Sequence, residues 1–409
     1  MENYYSYTLP NGIRIVHKPV DSNVSYCGFI VNAGTRDENP DEYGMAHFVE
    51  HMLFKGTKKR RSHHIINRME TVGGELNAYT NKEETVIYSV FLEPHIERAV
   101  ELLSDLTFHS EFPQHEIDKE IDVIIDEIHS YEDSPSELIY DEFENLLFKD
   151  SQIGHNILGE PQLLETFNTT KAKSFVRRNY INKDIVFFSL GKTNFNKVKR
   201  IAERYLSELV TPATEEKAIR TSPTLITPVN KTEEKDTSQA HVLIGGRSYS
   251  LHDKNRRALN LLNNILGGPG MNSRLNISLR EKKGYVYNVE SSTTAYSDCG
   301  MFSIYFGCDK SNIQKCIKLV YKELNKLKNT KMSTMQLHAA KRQLVGQIGV
   351  MSDNHENLAL SLGKNVLHFN HFNTLEEIFN KVESVTAEQI LDVANEIFEE
   401  TKLFSLLYN

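Results

Sequence analysis

Long apolar runs are missing from this sequence of 409 residues. The longest, Val86 to Leu92 and Ile185 to Leu190, have the length of strands and fall far short of the roughly 20 residues that a membrane-spanning helix needs. The amino terminus, Met1-Glu2-Asn3-Tyr4-Tyr5-Ser6, is polar and lacks the apolar core of a secretory signal. Cysteine is scarce. The four present, Cys27, Cys299, Cys308 and Cys316, form no CxxC pair, which excludes a thiolate zinc knuckle and a disulfide framework and suits a reducing compartment. A basic excess is absent as well. The net charge of −8 argues against a nucleic-acid partner, and Lys58-Lys59-Arg60-Arg61 reads as a solvated loop. The expectation is a soluble cytoplasmic protein with neither nucleic acid nor membrane as a partner.

The chain is long enough for two or three domains, and with 39% hydrophobic and 25% charged residues it is not disordered. Its most informative stretch is His47-Phe48-Val49-Glu50-His51. On a helix His51 lies about 40° from His47, and Glu50 about 60° to the other side. The three side chains therefore share one face. Met45, Phe48, Val49, Met52 and Leu53 occupy the rest of the circumference, so the helix can bury its back and turn its polar face to a cleft. Pro40-Asp41-Glu42 reads as an acidic helix opening and Gly56 as a stop. Two neutral imidazoles suit zinc, which in catalytic sites keeps a position for water, and the remaining carboxylate, Glu50, would be the general base.

A third ligand is needed, and Gln114 to Tyr131 offers candidates. Ile117, Ile121, Ile124, Ile125 and Ile128 recur at helical spacing, while Glu120 and Glu127 point in nearly the same direction two turns apart. The spacing leaves Glu116, Glu120, Asp126, Glu127 and His129 all open. A carboxylate two turns from the ligand would be placed to hold a ligating imidazole.

Taken in order, the chain reads as a hairpin over Tyr5 to Lys18 with Asn11-Gly12 as a type I′ turn. A strand (Tyr26 to Val31), the His47 helix, a helix (Ile65 to Thr71) closed by Gly73-Gly74, two strands (Glu75 to Thr80 and Thr85 to Leu92) and a helix (Ile96 to Leu106) follow. Ser134-Pro135 breaks the Gln114 helix, and further helices cover Ser136 to Lys149 and Thr170 to Tyr180. Strand Ile185 to Leu190 and a helix from Asn194 to Leu209 complete this half. Residues 211–236, rich in Thr, Pro, Glu and Lys, read as an exposed linker with a short extended piece at Leu225-Ile226. The domains expected are 1–210, which binds metal, and 237–409. In the second half a strand (His241 to Gly245), a helix (Asn255 to Leu266), a glycine-rich turn (Gly267 to Gly270), two strands (Tyr285 to Glu290 and Met301 to Gly307) and a helix (Ile313 to Leu327) repeat the earlier order. Where the first copy has His47, Glu50 and His51, the second has Ala258-Leu259-Asn260-Leu261-Leu262-Asn263, so only the first copy is expected to bind metal.

With these residues assembled, the sequence resembles the pitrilysin and insulinase-type zinc metallopeptidases, the inverted zincins with an HxxEH signature, in the half-length branch related to mitochondrial processing peptidase. The resemblance implies an α+β fold of two homologous domains, each a largely antiparallel mixed sheet packed with helices. It implies one zinc ion per chain on His47, His51 and Glu127, with Glu120 beside them and Glu50 as general base. It matches Gly73-Gly74-Glu75-Leu76-Asn77-Ala78-Tyr79-Thr80 to a substrate-binding edge strand, so Gly74, Glu75, Leu76, Asn77, Ala78 and Tyr79 would bind peptide. It matches Arg280-Glu281-Lys282-Lys283-Gly284-Tyr285-Val286-Tyr287 to a segment whose Arg280 and Tyr287 contact substrate. Gly267-Gly268-Pro269-Gly270 resembles the neighbouring glycine-rich loop, from whose glycine run Pro269 departs. The activity implied is hydrolysis of short or unfolded peptides inside a chamber formed by a homodimer, with a heterodimer as the other arrangement. The alternative is a non-catalytic subunit of a processing-peptidase-like complex. His63, His64, His109, His115 and His129 are read as structural or solvent-exposed.

Overall fold

The computed structural model describes residues 4–209, 219–235 and 237–409. Its first elements are β1 (Tyr5–Thr8), β2 (Arg14–Pro19), β3 (Val24–Val31), α1 (Met45–Met52), α2 (Ser62–Glu70), β4 (Glu75–Thr80) and β5 (Thr85–Leu92). Next come α3 (Ile96–His109), α4 (Gln114–Glu132), α5 (Pro135–Leu147), α6 (Pro161–Leu164), α7 (Thr169–Asn179), β6 (Ile185–Gly191) and α8 (Phe195–Leu206). Then follow β7 (Asn230–Glu233), β8 (Ala240–Ser248), α9 (Arg256–Gly267), β9 (Val286–Ala295), β10 (Gly300–Cys308) and α10 (Ile313–Asn329). Four helices and a strand come after these: α11 (Thr334–Met351), α12 (His355–Phe369), α13 (Leu375–Glu383), α14 (Ala387–Ile397) and β11 (Phe404–Tyr408). The fold is α+β with two mixed, largely antiparallel sheets, as the sequence suggested. Among the described residues no helix is long and apolar enough to cross a membrane.

The first sheet has the order β1-β2-β6-β3-β5-β4 and the second β7-β11-β8-β10-β9. The repeat read from the sequence is visible in this topology. β2 runs parallel to β6 and β7 parallel to β11, while every other pair is antiparallel. In the aligned run, β2-β6-β3-β5-β4 corresponds strand for strand to β7-β11-β8-β10-β9.

Each sheet is covered by helices on both faces, and strand alternation sorts its residues accordingly. Ile15, Phe29, Val31, Ile87 and Phe187 join one core with residues of α1, α3, α7 and α8. Val16, Ile30, Val86, Val186 and Phe188 face the other way, onto Ala359, Leu362 and Val366 of α12. α12 lies close at Gly363, where a Cβ would come within 2.6 Å of Ile30 and 2.9 Å of Phe188. The second sheet repeats the pattern. Val242, Ile244, Phe302, Ile304 and Phe306 face a core shared with α9, α10 and α14. Leu243, Met301 and Tyr305 face Ile139, Phe143 and Leu147 of α5. Burial on both faces is why Val86 to Leu92 and Ile185 to Leu190 are nearly unbroken apolar runs.

Compact units follow these cores rather than the boundaries read from the sequence. One unit comprises Met1–Ile128, His155–Thr221 and Met351–Thr374, and the other His129–Gly154, Ser222–Val350 and Leu375–Asn409. Thus α5, read with the first domain, packs on the second sheet, and α12, read with the second, packs on the first. Both transfers have one cause: each sheet has a second apolar face that its sequence neighbours leave uncovered. In the segment read as a linker, 211–218 and 236 lie outside the described residues. A strand forms there at Asn230–Glu233 rather than at Leu225-Ile226, because β11 offers it a parallel partner. The β1–β2 connection also differs from a two-residue turn. Thr8 pairs with Arg14, so five residues intervene, with Leu9 and Ile13 both buried in the core.

α12 is further tied to the first sheet through Glu84, which is bonded to His368 and lies 2.9 Å from Lys364 Nζ. Burial alone would raise the pKa of Glu84, but His368 and Lys364 outweigh it and hold the carboxyl at about 2. A depressed carboxylate stabilises the fold above its unfolded pKa, and the contribution is lost as pH falls through the folded value. Glu84→Gln is therefore expected to lower the unfolding free energy near neutral pH by at most about 3 kcal/mol. That deficit should shrink as pH falls from 4.5 to about 2. Urea titrations at both ends of the window check this, and a deficit independent of pH would contradict the ion-pair account.

Candidate metal centre

The centre is built on α1. Met45, Ala46, Phe48, Val49 and Met52 are fully buried, which fixes the helix by its apolar back and leaves His47, Glu50 and His51 on the remaining face. α4 brings a carboxylate to that face. Glu127 Oε2 lies 3.9 Å from His47 Nε2 and 3.7 Å from His51 Nε2. One donor atom from each of the three lies within 4.8 Å of the other two, and among the described residues this is the group whose ligand atoms converge. Such N···O spacings are too long for hydrogen bonds. They approach the spacing of about 3.3 to 3.5 Å between two donors that sit about 2.0–2.2 Å from one tetrahedral ion.

The two imidazoles differ in protonation. Burial, then neighbouring His51, pushes the His47 imidazole down to about 3, so it is held neutral, the form that ligates. Burial also works against charge on His51, but the hydrogen bond to Glu120 and the nearby Glu50 and Glu127 outweigh it and raise its pKa. Glu120 is buried and lies 2.9 Å from His51 Nδ1 and 2.5 Å from Lys55 Nζ. Burial would raise its pKa, yet these two partners hold it below the ordinary value. Glu120 thus orients a ring whose Nε2 faces Glu127, while His47 Nδ1 has no partner among the described residues and that ring is held by packing. Three carboxylates, Glu50, Glu120 and Glu127, meet here, with Lys55 paired to Glu120, and a divalent cation would balance their negative charge. Of the other ligand candidates on α4, Glu116 is engaged by exposed His115 and Lys119.

Glu50 is buried, which raises its pKa, and Thr80 at the end of β4 holds it back in part. The expected acidic opening of α1 at Asp41-Glu42 is corrected by the structure. Glu42 is drawn to Arg178, and the helix amides are received instead by Glu38, which accepts from Gly44 N at 2.9 Å and Ala46 N at 2.7 Å. Sequence reasoning missed Glu38, Lys55 and His155. Lys55 was within reach, four residues past His51 and just beyond the end of α1. Glu38, nine residues before His47, sits in a segment without periodic signal, and His155 lies more than a hundred residues away in the chain.

Residues 14–161 match the family described as "Insulinase (Peptidase family M16)", and residues 166–344 match "Peptidase M16 inactive domain". An uncharacterized zinc protease of Bacillus subtilis, YmxG, is 30% identical over 98% of this chain and 97% of its own length. Uncharacterized zinc proteases of Streptomyces coelicolor and Rickettsia felis are 31% and 32% identical over 95% and 97% of this chain, and over 86% and 95% of theirs. The chain belongs to peptidase family M16. Its fold is shared with a protease from Helicobacter pylori of known crystal structure, at a TM-score of 0.91 and 22% identity over 100% of both chains. The relatives' names imply zinc, and the family implies peptides as substrates.

Within this M16 chain the remaining residues singled out in the sequence fall in two places. β4 is an edge strand: it pairs with β5 from Glu75↔Val90 to Thr80↔Thr85, and no strand among the described residues takes its other side. α1 packs against it, so Gly74 to Tyr79 run alongside the helix that carries His47, Glu50 and His51. Arg280 and Tyr287 belong to the second compact unit. Arg280 lies in a π-helical turn, Asn276–Glu281, in which Lys282 N donates to Ile277 O. Its guanidinium carbon is 5.9 Å from the centre of the Tyr287 ring, and Tyr287 is 84% exposed. Both line a cavity of about 450 Å³ with Asn260, Asn263, Asn264 and the loop from Gly267 to Gly270.

If Glu127 is a ligand and Glu120 an orienting group, their removal should differ in degree. Glu120→Ala is expected to weaken zinc binding by about 10–100-fold, the usual effect of losing a group that orients a ligand. Glu127→Ala should cost more, since a donor itself is gone. Competition with a chromogenic chelator measures both, and wild-type affinity in Glu127→Ala would remove it from the set.

Proposed function

We propose that this M16 chain is a zinc-dependent endopeptidase acting on short or unfolded peptides, with His47, His51 and Glu127 as metal ligands and Glu50 as general base. The observation that carries this reading is the convergence of two Nε2 atoms and one carboxylate on a helix that also presents Glu50. Zinc held there would supply a Lewis acid that lowers the pKa of water and polarises a scissile carbonyl. The protein's own part is to place and move protons. Glu50 takes the proton of the attacking water and returns it to the leaving amine, and its burial-raised pKa suits a group that must do both. β4 offers free backbone groups to an extended peptide, a mode of binding that tolerates varied side chains and excludes folded chains.

Arg280 and Tyr287 are assigned to the peptide, Arg280 as a backbone anchor and Tyr287 as a donor to the developing oxyanion, a contribution typically worth about 3 kcal/mol. Tyr287 is exposed and Arg280 half-buried beside its ring, both on the lining of one cavity. The assembly proposed is a homodimer in which these two residues of one protomer serve the zinc centre of the other.

Cleavage of a quenched, unstructured peptide by the zinc-loaded protein should be abolished by chelator. It should fall about 10²–10⁴-fold in Glu50→Gln with zinc retained. Inactivity of the zinc-loaded wild type would overturn the peptidase reading in favour of a non-catalytic subunit. For the dimer, mixing Glu50→Gln with Tyr287→Phe should regenerate activity after verified subunit exchange, and its absence would refute action in trans.

A further inference from the structure

We infer that Glu38, held by His155, is the positioning residue that sets the pitch and depth of the metal-binding helix, an inference that rests on the metal reading of His47, His51 and Glu127. α1 begins at a left-handed glycine, Gly44 at φ 98°, and no side chain of its own caps it. A Cβ at Gly44 would lie 2.8 Å from Gly159 Cα and from Leu158 O, so the turn is pressed against a second chain segment and cannot supply a cap of the usual kind. Glu38 fills that role from six residues upstream. Its Oε1 accepts from Ala46 N, immediately before His47, and its Oε2 accepts from Gly44 N. The second oxygen also meets His155 Nε2 at 2.9 Å. Burial raises the Glu38 carboxyl well above the usual carboxylate range and holds the His155 imidazole down at about 3, so the two meet in one buried hydrogen bond between Oε2 and Nε2.

Both members of this pair are themselves anchored. The His155 ring stacks on Tyr43 with centroids 3.8 Å apart, and its backbone carbonyl receives Lys82 Nζ. Glu38 ends a turn whose neighbours are immobilised. Arg36 is fully buried and 2.7 Å from Glu83, Asp37 accepts from Gly34 N, and the amides of Thr35 and Arg36 donate to the carbonyls of Asn81 and Lys82. Asn81 and Lys82 form the turn between β4 and β5. Glu38 therefore links the start of the ligand helix to the end of the edge strand through side chains that cannot shift without exposing buried charge. Since Ala46 directly precedes the first ligand, a change in this cap tilts His47 and His51 together relative to Glu127 on α4.

The test reads the metal and needs no substrate. In Glu38→Gln an amide N–H faces a donor, and zinc affinity is expected to fall about 10–100-fold. The d–d spectrum of the cobalt-loaded protein should shift with it. His155→Leu should give the same loss and spectral change. His155→Gln, which keeps an N–H toward Glu38, should restore most of the affinity. The Glu38→Gln/His155→Leu double variant should be no weaker than Glu38→Gln alone, as expected of two groups acting as one. If Glu38→Gln does not fold, the Leu and Gln variants of His155 carry the comparison. Folded variants with wild-type zinc affinity and an unchanged cobalt spectrum would overturn the inference. A wild type that takes up no stoichiometric zinc would instead overturn the metal reading, and this inference with it.

Discussion

The helix α1 is short, and its apolar flanks are buried, so its first amides have little access to water. Unpaired amides at a buried helix end cost free energy comparable to lost hydrogen bonds. The structure answers with a buried carboxyl group, Glu38, whose oxygens are bonded to the first helix amides and to His155. Everything that shapes the centre depends on this compensation. A helix that can bury its back without leaving its amides unpaired is free to present three polar side chains on the remaining face, where α4 brings the complementary carboxylates.

The same economy of charge runs through the first unit. Arg36, Asp37, Glu83 and Arg220 form a buried network beside the β4–β5 turn, and Glu120 sits between Lys55 and His51. Such groups add little net stability when paired but exact a large penalty when one partner is lost. Their effect is to make one arrangement of backbone far better than its neighbours. Ligand geometry in a metal site needs that kind of discrimination, because small displacements of a donor are felt directly by the ion.

Much of this was legible in the sequence, and the parts that were not share a cause. The face of α1 and the isoleucine stripe of α4 are local patterns, and helical periodicity alone places His47, His51, Glu120 and Glu127 in register. The repeated order of elements foretold the matching strand orders of the two sheets. Spacing could not choose Glu127 from its neighbours on α4; the family resemblance did. Glu38 and His155 escaped notice because their roles arise from a contact across more than a hundred residues. The compact units cut across the boundaries read from the sequence for a related reason. The apolar runs of β5 and β6 announce strands buried on both faces, but nothing local says which helix supplies the second cover.

That second cover has a consequence for how the chain is made. The face of the first sheet formed by Val16, Ile30, Val86, Val186 and Phe188 is closed by α12, whose residues begin at His355. During synthesis from the amino terminus, all six strands of that sheet leave the ribosome long before the helix does. Until it arrives, half of a hydrophobic interior faces solvent, so the first unit reaches its final stability only after α12 has been made. In the interval an apolar sheet face has to be shielded by transient collapse or by chaperones, and truncations that stop short of α12 leave it permanently uncovered.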